Sequence, residues 1–398
     1  DTAMTWLVLL SFGTLVWLVY RLGETLFTRW AGVIGALVVV SRPAMERDVS
    51  LAYLDVPFAT LVFGALLLEA RRPRRGAAVL AVLAVAGLLR PEAWVLAGLY
   101  VLYLWPHATP RDRVRLVALA AIGPVVWLAG DAIVTGDPLH SLHGTAALAD
   151  AADRHRTPGE VPYWTAQYFG FTLRVPVAAG ILVGLLFAWR RGLRRWGLPV
   201  VVAAVFVAFF AIGPFFGLPL IGRYIRTPSA LLAVFCGVAI AGWTLLPPSR
   251  ARFRWGLLAV LVAVLNLVYV PRTIQLLSDV RHRRAQESRY YRGLRRISEN
   301  RVVGAAFDRC PRLSTADHRP IPFVRWWLHG DPGSVGTIEQ HAGAPAPLLL
   351  VPRPAPLNRR LYGPAFPHVA IPASYRLVHR NELWAVWAAP RCEARARG

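Results

Sequence analysis

Lysine is absent from this chain, so all 45 of its Lys-plus-Arg positions are arginine. No fold chemistry demands that, and it fits a high-GC coding sequence. Cysteine is nearly absent as well, with three residues in 398, none in a metal-binding spacing. Charge is scarce at 17% of residues against 56% hydrophobic ones, and the mean hydropathy is +0.43. So little polar surface cannot cover a soluble globule of this size, and the chain belongs in lipid. A basic n-region and a small-residue cleavage site are also lacking before the first apolar stretch, and the first residue is Asp1 rather than Met. We expect an N-terminal segment to be missing.

What is present is a series of apolar runs. Seven of them, at 4–20, 55–69, 114–134, 175–189, 197–213, 228–246 and 255–271, are mostly near the roughly 20 residues that span a bilayer. Three more, at 30–40, 77–89 and 93–105, are shorter and equally compatible with tilted or re-entrant half-helices. The sequence thus predicts a polytopic α-helical membrane protein of about ten segments. The net charge of +23 is not a nucleic-acid footprint, because its arginines come in short clusters between apolar runs.

Those clusters set the orientation. Arg21 and Arg29, then Arg71, Arg72, Arg74 and Arg75, then Arg111, Arg113 and Arg115, then Arg190, Arg191, Arg194 and Arg195, then Arg250, Arg252 and Arg254 occupy alternate loops. The positive-inside rule makes these loops cytoplasmic. Loops 41–54, 90–92, 135–172 and 214–227, with everything after about residue 272, then face the cell exterior or periplasm. The expected domains are a helical membrane domain, 1–271, and a small soluble extracytoplasmic α/β domain, 272–398. In the latter a helical stretch, Ile274 to Ile297, precedes strand-like pieces at Arg301 to Phe307, Pro347 to Val351, Tyr375 to Val378 and Leu383 to Trp387. On the oxidising side Cys310 and Cys392 are either bonded or two free thiols; a bond would constrain the domain by roughly 4 kcal/mol.

Polar residues at the outer helix ends are costly unless paired or used, so the candidate site lies there. The stretch SRPAMERDVSLAYLDVP places Asp48 and Asp55 beside Arg42 and Arg47, although Asp55 could simply cap a helix. In Leu89-Arg90-Pro91-Glu92-Ala93-Trp94, Pro91 and Glu92 suit a helix start, while Arg90 either binds a phosphate or pairs with Asp48, Asp55 or Glu92. In Gly222-Arg223-Tyr224-Ile225-Arg226-Thr227-Pro228 two arginines break the positive-inside bias; they either snorkel to headgroups or clamp a lipid-linked phosphate. The loop 135–172 carries His140, His143 and His155 with Asp137, Asp150 and Asp153. That spacing is no strong metal motif, and a lid or substrate-binding element along the membrane surface is the better reading.

Four stretches together resemble the GT-C superfamily of polytopic glycosyltransferases, which take a sugar from a polyprenyl-phosphate donor at the outer side of the membrane. They are LAYLDVPFATLVFGALLLEARR around Asp55, AGLLRPEAW at Ala86 to Trp94, GDPLHSLHGT at Gly136 to Thr145 and GRYIRTPSALL at Gly222 to Leu232. The likeness is nearest to actinobacterial members with mannosyl- or arabinosyl-type relatives, and a soluble outer C-terminal domain fits it. The resemblance implies an acidic general base on a first outer loop that this sequence does not contain. It also implies arginines, sometimes helped by a divalent ion, that stabilise the departing lipid phosphate. Carried onto this chain, Asp55 and more weakly Asp48 are the catalytic carboxylates, Arg90, Arg223, Arg226 and Tyr224 the phosphate-binding set, and His140 and His143 the substrate loop. No cofactor or metal is assigned. The expected activity is sugar transfer from a polyprenyl-phosphate donor to a glycan or lipid acceptor, by a multi-pass protein of the bacterial plasma membrane. The alternatives are a transporter or flippase of lipid-linked glycans, or a non-catalytic membrane scaffold. Intramembrane charges and internal repeats, which a transporter should show, are not evident beyond Asp131 near an outer end.

Overall fold

The computed structural model describes residues 2–151, 156–192, 196–331, 333–341, 346–363, 366–367 and 369–392. Asp153, His155, Arg194 and Arg195 lie outside the described residues, as does the side chain of Asp150. The chain forms two compact units that divide at Val280/Arg281, within a long helix.

The first unit is helical: α1 (Thr2–Leu26), α2 (Arg29–Val40), α3 (Pro43–Ser50), α4 (Asp55–Arg71), α5 (Ala77–Leu89), α6 (Glu92–Leu104), α7 (Pro110–Thr135), α8 (His140–Ala151), α9 (Val161–Arg190), α10 (Gly197–Ile212), α11 (Arg226–Ala241) and α12 (Arg250–Val268), with α13 (Val270–Ser298) leading out of it. Each of the ten apolar runs is a helix. Among the described residues six helices are long and apolar enough to cross a membrane on their own; α3 and α4 are bent by 115° to each other, so α3 is a short helix at the mouth of α4. Large apolar side chains point away from the unit along whole helix faces. Ile133 and Val134 of α7 are 83% and 81% exposed, and α12 buries only Ala259 and Val262. Such a surface is stable against lipid and not against water.

At the centre stands α11, buried along nearly its whole length and packed by α9, α2 and α10. Lipid tails are as apolar as leucine, so helix association here depends on close contact between small residues. A Cβ on Gly184 of α9 would fall 1.8 Å from the Phe235 carbonyl oxygen, and one on Gly237 of α11 would fall 2.1 Å from that of Ala31 in α2. These glycines let three backbones touch.

The second unit continues with α14 (Arg301–Arg309), β1 (Leu313–Thr315), α15 (Ile321–Trp327), β2 (Val335–Thr337), β3 (Leu348–Pro352), α16 (Pro356–Tyr362), β4 (Arg376–Arg380) and β5 (Trp384–Ala388). The sheet order is β2-β1-β3-β5-β4, with β2, β1 and β3 parallel and β5 antiparallel to both neighbours. Buried Leu348, Leu350, Trp384 and Val386 pack there with Leu294 and Ile297 of α13. Arg301 to Phe307, expected as a strand, is the helix α14. Asn300 caps it by accepting from the Val302 amide, and Val303, Ala306 and Phe307 fall on one buried helical face. Cys310 and Cys392 are bonded, with Cα atoms 5.8 Å apart, and Cys236 is a buried free thiol within α11.

Two outcomes follow from this packing. Gly237→Ala should lower stability by about 1–3 kcal/mol, the usual penalty of overpacking, read as a lower thermal midpoint of the purified protein in detergent. Replacing both Cys310 and Cys392 by serine should remove about 4 kcal/mol from the second unit, read as faster proteolysis confined to residues beyond Val280.

Candidate functional site

The ends of α5, α7 and α10, the starts of α4, α6 and α8 and the segment before α11 converge at one end of the bundle. Between them lies a cavity of about 590 Å³. Its walls are mostly apolar, with Leu54, Leu89, Trp94, Trp127, Phe209 and Phe210 among them, and its polar groups are few: Tyr53, Asp55, Arg90, Glu92, Asp131, Ser141, Thr145, Arg223 and Tyr224. A largely apolar hollow with a few convergent polar groups is the usual form of a ligand site. The two tryptophans stand edge to face at 5.5 Å. Each indole N–H donates to a carbonyl at the end of α5, Trp94 to Gly87 at 2.9 Å and Trp127 to Leu88 at 3.0 Å.

Arg90 sits where α5 ends, and its guanidinium is almost wholly buried. It donates through Nη1 to Asp55 Oδ1 and through Nη2 to Glu92 Oε1. Asp55 is the first residue of α4 and makes no cap hydrogen bond. Its carboxylate goes across the bundle to Arg90 instead, so helix capping does not account for it. On its other side the Arg90 guanidinium lies over Phe58 at 5.3 Å and Tyr224 at 4.6 Å.

Arg223 differs from Arg90 in one respect that matters chemically. Its guanidinium stacks 5.7 Å from the rings of both Tyr53 and Tyr224, yet it makes no salt bridge among the described residues and its buried Nε has no acceptor. Tyr224 therefore lies between two cations, one neutralised and one not. Asp131, near the end of α7, is a cavity carboxylate with no cationic partner among the described residues. Its oxygens accept from the amide and hydroxyl of Ser141, both at 2.8 Å. The sequence marks Asp131 only as a polar residue in an apolar run; its pairing with the start of α8 needs the fold.

The other expected residues fall elsewhere. Arg226, in the first turn of α11, is buried and donates through Nε to Asp48 Oδ2 at 3.0 Å and through Nη1 to Thr172 Oγ1; neither Arg226 nor Asp48 lines the cavity. Asp48 belongs to α3, outside the apolar spans. Burial pushes its carboxyl up to about 6 against the pull of Arg226, with the Asp55 charge adding to the rise. The α8 segment covers the cavity with Ser141, Leu142 and Thr145, whereas His140 and His143 are not among its lining residues. His143 is exposed and bonds Asp137 at 2.7 Å. Among the described residues no group of His, Cys, Asp and Glu is arranged to hold a metal ion.

This fold and cavity define a multi-pass helical membrane protein with a small mixed-sheet unit. No protein-family model matches the sequence, and no curated protein is significantly similar to it. Among solved structures the chain is similar to two crystal structures of ArnT from Cupriavidus metallidurans, one bound to undecaprenyl phosphate and one in the apo state. Each aligns with a TM-score of 0.55 at 14% identity, over 98% of this chain and 85% or 84% of that one. The chain has the ArnT fold. The helical membrane architecture with a small C-terminal α/β unit, expected from the GT-C resemblance, is thereby borne out.

The Arg90 cluster holds three elements together, and breaking it should be costly. Arg90→Met, which keeps the stem and removes the charge, leaves two buried carboxylates unpaired and should cost about 3–5 kcal/mol. Glu92→Gln should cost less, because Asp55 still neutralises Arg90. Thermal unfolding of the two variants in the same detergent checks the order.

Proposed function

We propose that this protein transfers a sugar from a polyprenyl-phosphate donor to a glycan or lipid acceptor at the outer face of the bacterial plasma membrane, with Arg223 as its phosphate-binding group and Arg90 positioning it. The observation that carries the proposal is the unpaired, aromatic-flanked guanidinium of Arg223 facing an apolar cavity. Such a group seeks an anion, and the walls around it suit a hydrocarbon chain. The shared fold with ArnT, one of whose crystal structures holds undecaprenyl phosphate, supports the same reading. So do the arginine-rich loops at the opposite helix ends, which belong on the cytoplasmic side by the positive-inside rule and leave the cavity and the C-terminal unit outside.

In this reading an acceptor hydroxyl oxygen bonds to the anomeric carbon and gives its proton to a base as the bond between the sugar and the donor phosphate breaks, and negative charge collects on the phosphate oxygens. Arg223 stabilises that charge directly. Arg90, neutralised by Asp55 and Glu92, lies over the Tyr224 ring beside which Arg223 also stacks, and so positions Arg223 for the phosphate. Asp55 and Asp48 act as positioning residues, for Arg90 and Arg226 respectively. Asp131 is oriented by Ser141 and has no cation of its own, so it is the cavity carboxylate suited to accept hydrogen bonds from sugar or acceptor hydroxyls.

Arg223→Gln, assayed in the full-length protein with a polyprenyl-phosphate sugar, should lower kcat by about 10²–10³-fold, the usual range for losing one stabilising donor, and Asp55→Asn, which leaves Glu92 on Arg90, should lower it by less. Undecaprenyl phosphate should raise the thermal midpoint of the parent protein but not of Arg223→Gln. Unchanged turnover in both variants would remove the site assignment.

A further inference from the structure

A second cluster of arginines lies beside the first site and contributes nothing to the cavity wall. Near the start of its apolar stretch, α9 is broken at Arg174, whose backbone has φ 65° and ψ 158°. That region is open to glycine and strained for any residue with a side chain. Pro176, two residues on, explains an interrupted ladder because it has no N–H to give, but it does not require a positive φ at 174. The break is instead gripped by other arginines. Arg42, itself buried, donates through Nη1 to the Leu173 carbonyl at 2.9 Å, through Nε to Val38 at 3.1 Å and through Nη2 to Ser41 Oγ at 2.9 Å. Arg226 takes Thr172. Glycine would fit the break without strain, yet the position holds an arginine.

Neither Arg42 nor Arg174 makes a salt bridge among the described residues. The acceptors of Arg42, two carbonyls and a hydroxyl, are all neutral. Arg174 stacks 4.9 Å from the Phe171 ring, and its Nε is buried with no acceptor. Arg226 lies 5.9 Å from the same Phe171 ring and already has Asp48 as its partner. Arg42 thus meets the backbone carbonyl that directly precedes Arg174, Arg174 keeps a buried unused donor, and neither guanidinium has an anion among the described residues.

We infer that Arg174 and Arg42 form an anion site for a phosphate group, separate from the cavity, at the break in α9. Planar guanidinium groups bind phosphate oxygens in pairs, and a phosphate here would satisfy the orphaned donor. The phosphate can come from an anionic lipid headgroup or from solution. This inference stands apart from the transferase reading, since none of its residues lines the cavity.

The test uses the full chain in a neutral detergent, with inorganic phosphate or phosphatidylglycerol added against sodium chloride of matched ionic strength. The parent protein should gain about 3–5 °C in thermal midpoint, as expected for a ligand well above its dissociation constant. Arg174→Gly, which relieves the backbone strain, should be no less stable than the parent without the anion and should lose the gain. Arg42→Gln should lose it too, while Arg223→Gln should retain it. A gain with phosphatidylglycerol alone identifies a lipid headgroup, and a gain with inorganic phosphate identifies the free ion; both support the site. The site is overturned by no gain with either probe, by a gain that survives Arg174→Gly, or by one lost only in Arg223→Gln.

Discussion

The buried guanidinium of Arg90 is the constraint on which the cavity end of this protein depends. It is the point where the start of α4, the turn between α5 and α6 and the segment before α11 meet, through Asp55, Glu92 and Tyr224 in turn. A charge in such surroundings is tolerable only with partners on hand, so each of those segments is fixed in place by the need to supply one. Remove the cation and two carboxylates repel each other in the same low-dielectric space. The consequence for chemistry is that the field at the cavity is built before any ligand arrives.

Pairing then sorts the arginines of this end by what they do. Arg226 has Asp48 and Thr172, and it ties α11 to α3 and α9. Arg90 has two carboxylates for one charge, so its cluster presents negative charge on balance. Arg223 brings the compensating positive charge with only aromatic neighbours, and Tyr224 is the face both guanidiniums share. Cation–π contacts hold a guanidinium in position while leaving its hydrogen-bond donors unspent. That is the difference between an arginine that maintains the fold and one that is available to an anion.

How much of this the sequence discloses follows from the range of each interaction. The ten helices are legible because membrane burial acts on whole runs of residues, and alternate arginine clusters mark the same topology. Asp55, Arg90 and Arg223 are legible as oddities, charges at the ends of apolar helices. Their partners are not, since Arg90 and Asp55 are 35 positions apart and Arg226 and Asp48 are 178 apart. The lining role of Ser141 rather than His140 or His143 depends on which face of α8 turns inward, and one turn of helix around Gly144 carries too little periodicity to decide it. In the second unit β1 and β2 are only three residues long, below any alternation signal, and the Val-Val of α14 has strand propensity that its cap and buried face override.

The two ends of α9 show how the same helix serves rigidity and strain. Toward Arg190 its glycines press against α11 so closely that Gly184 admits no side chain at all, and this contact needs no polar group. At Arg174 the helix is interrupted, and three arginines and a threonine surround the break. A hydrogen-bond ladder opened inside lipid exposes carbonyls that nothing in hydrocarbon can satisfy, so a break persists only where protein donors cover it. Arg42 covers the Leu173 carbonyl, and a threonine hydroxyl and a buried carboxylate absorb Arg226. Arg174 is the member of the group whose presence the break itself does not require, since its guanidinium satisfies none of the freed carbonyls.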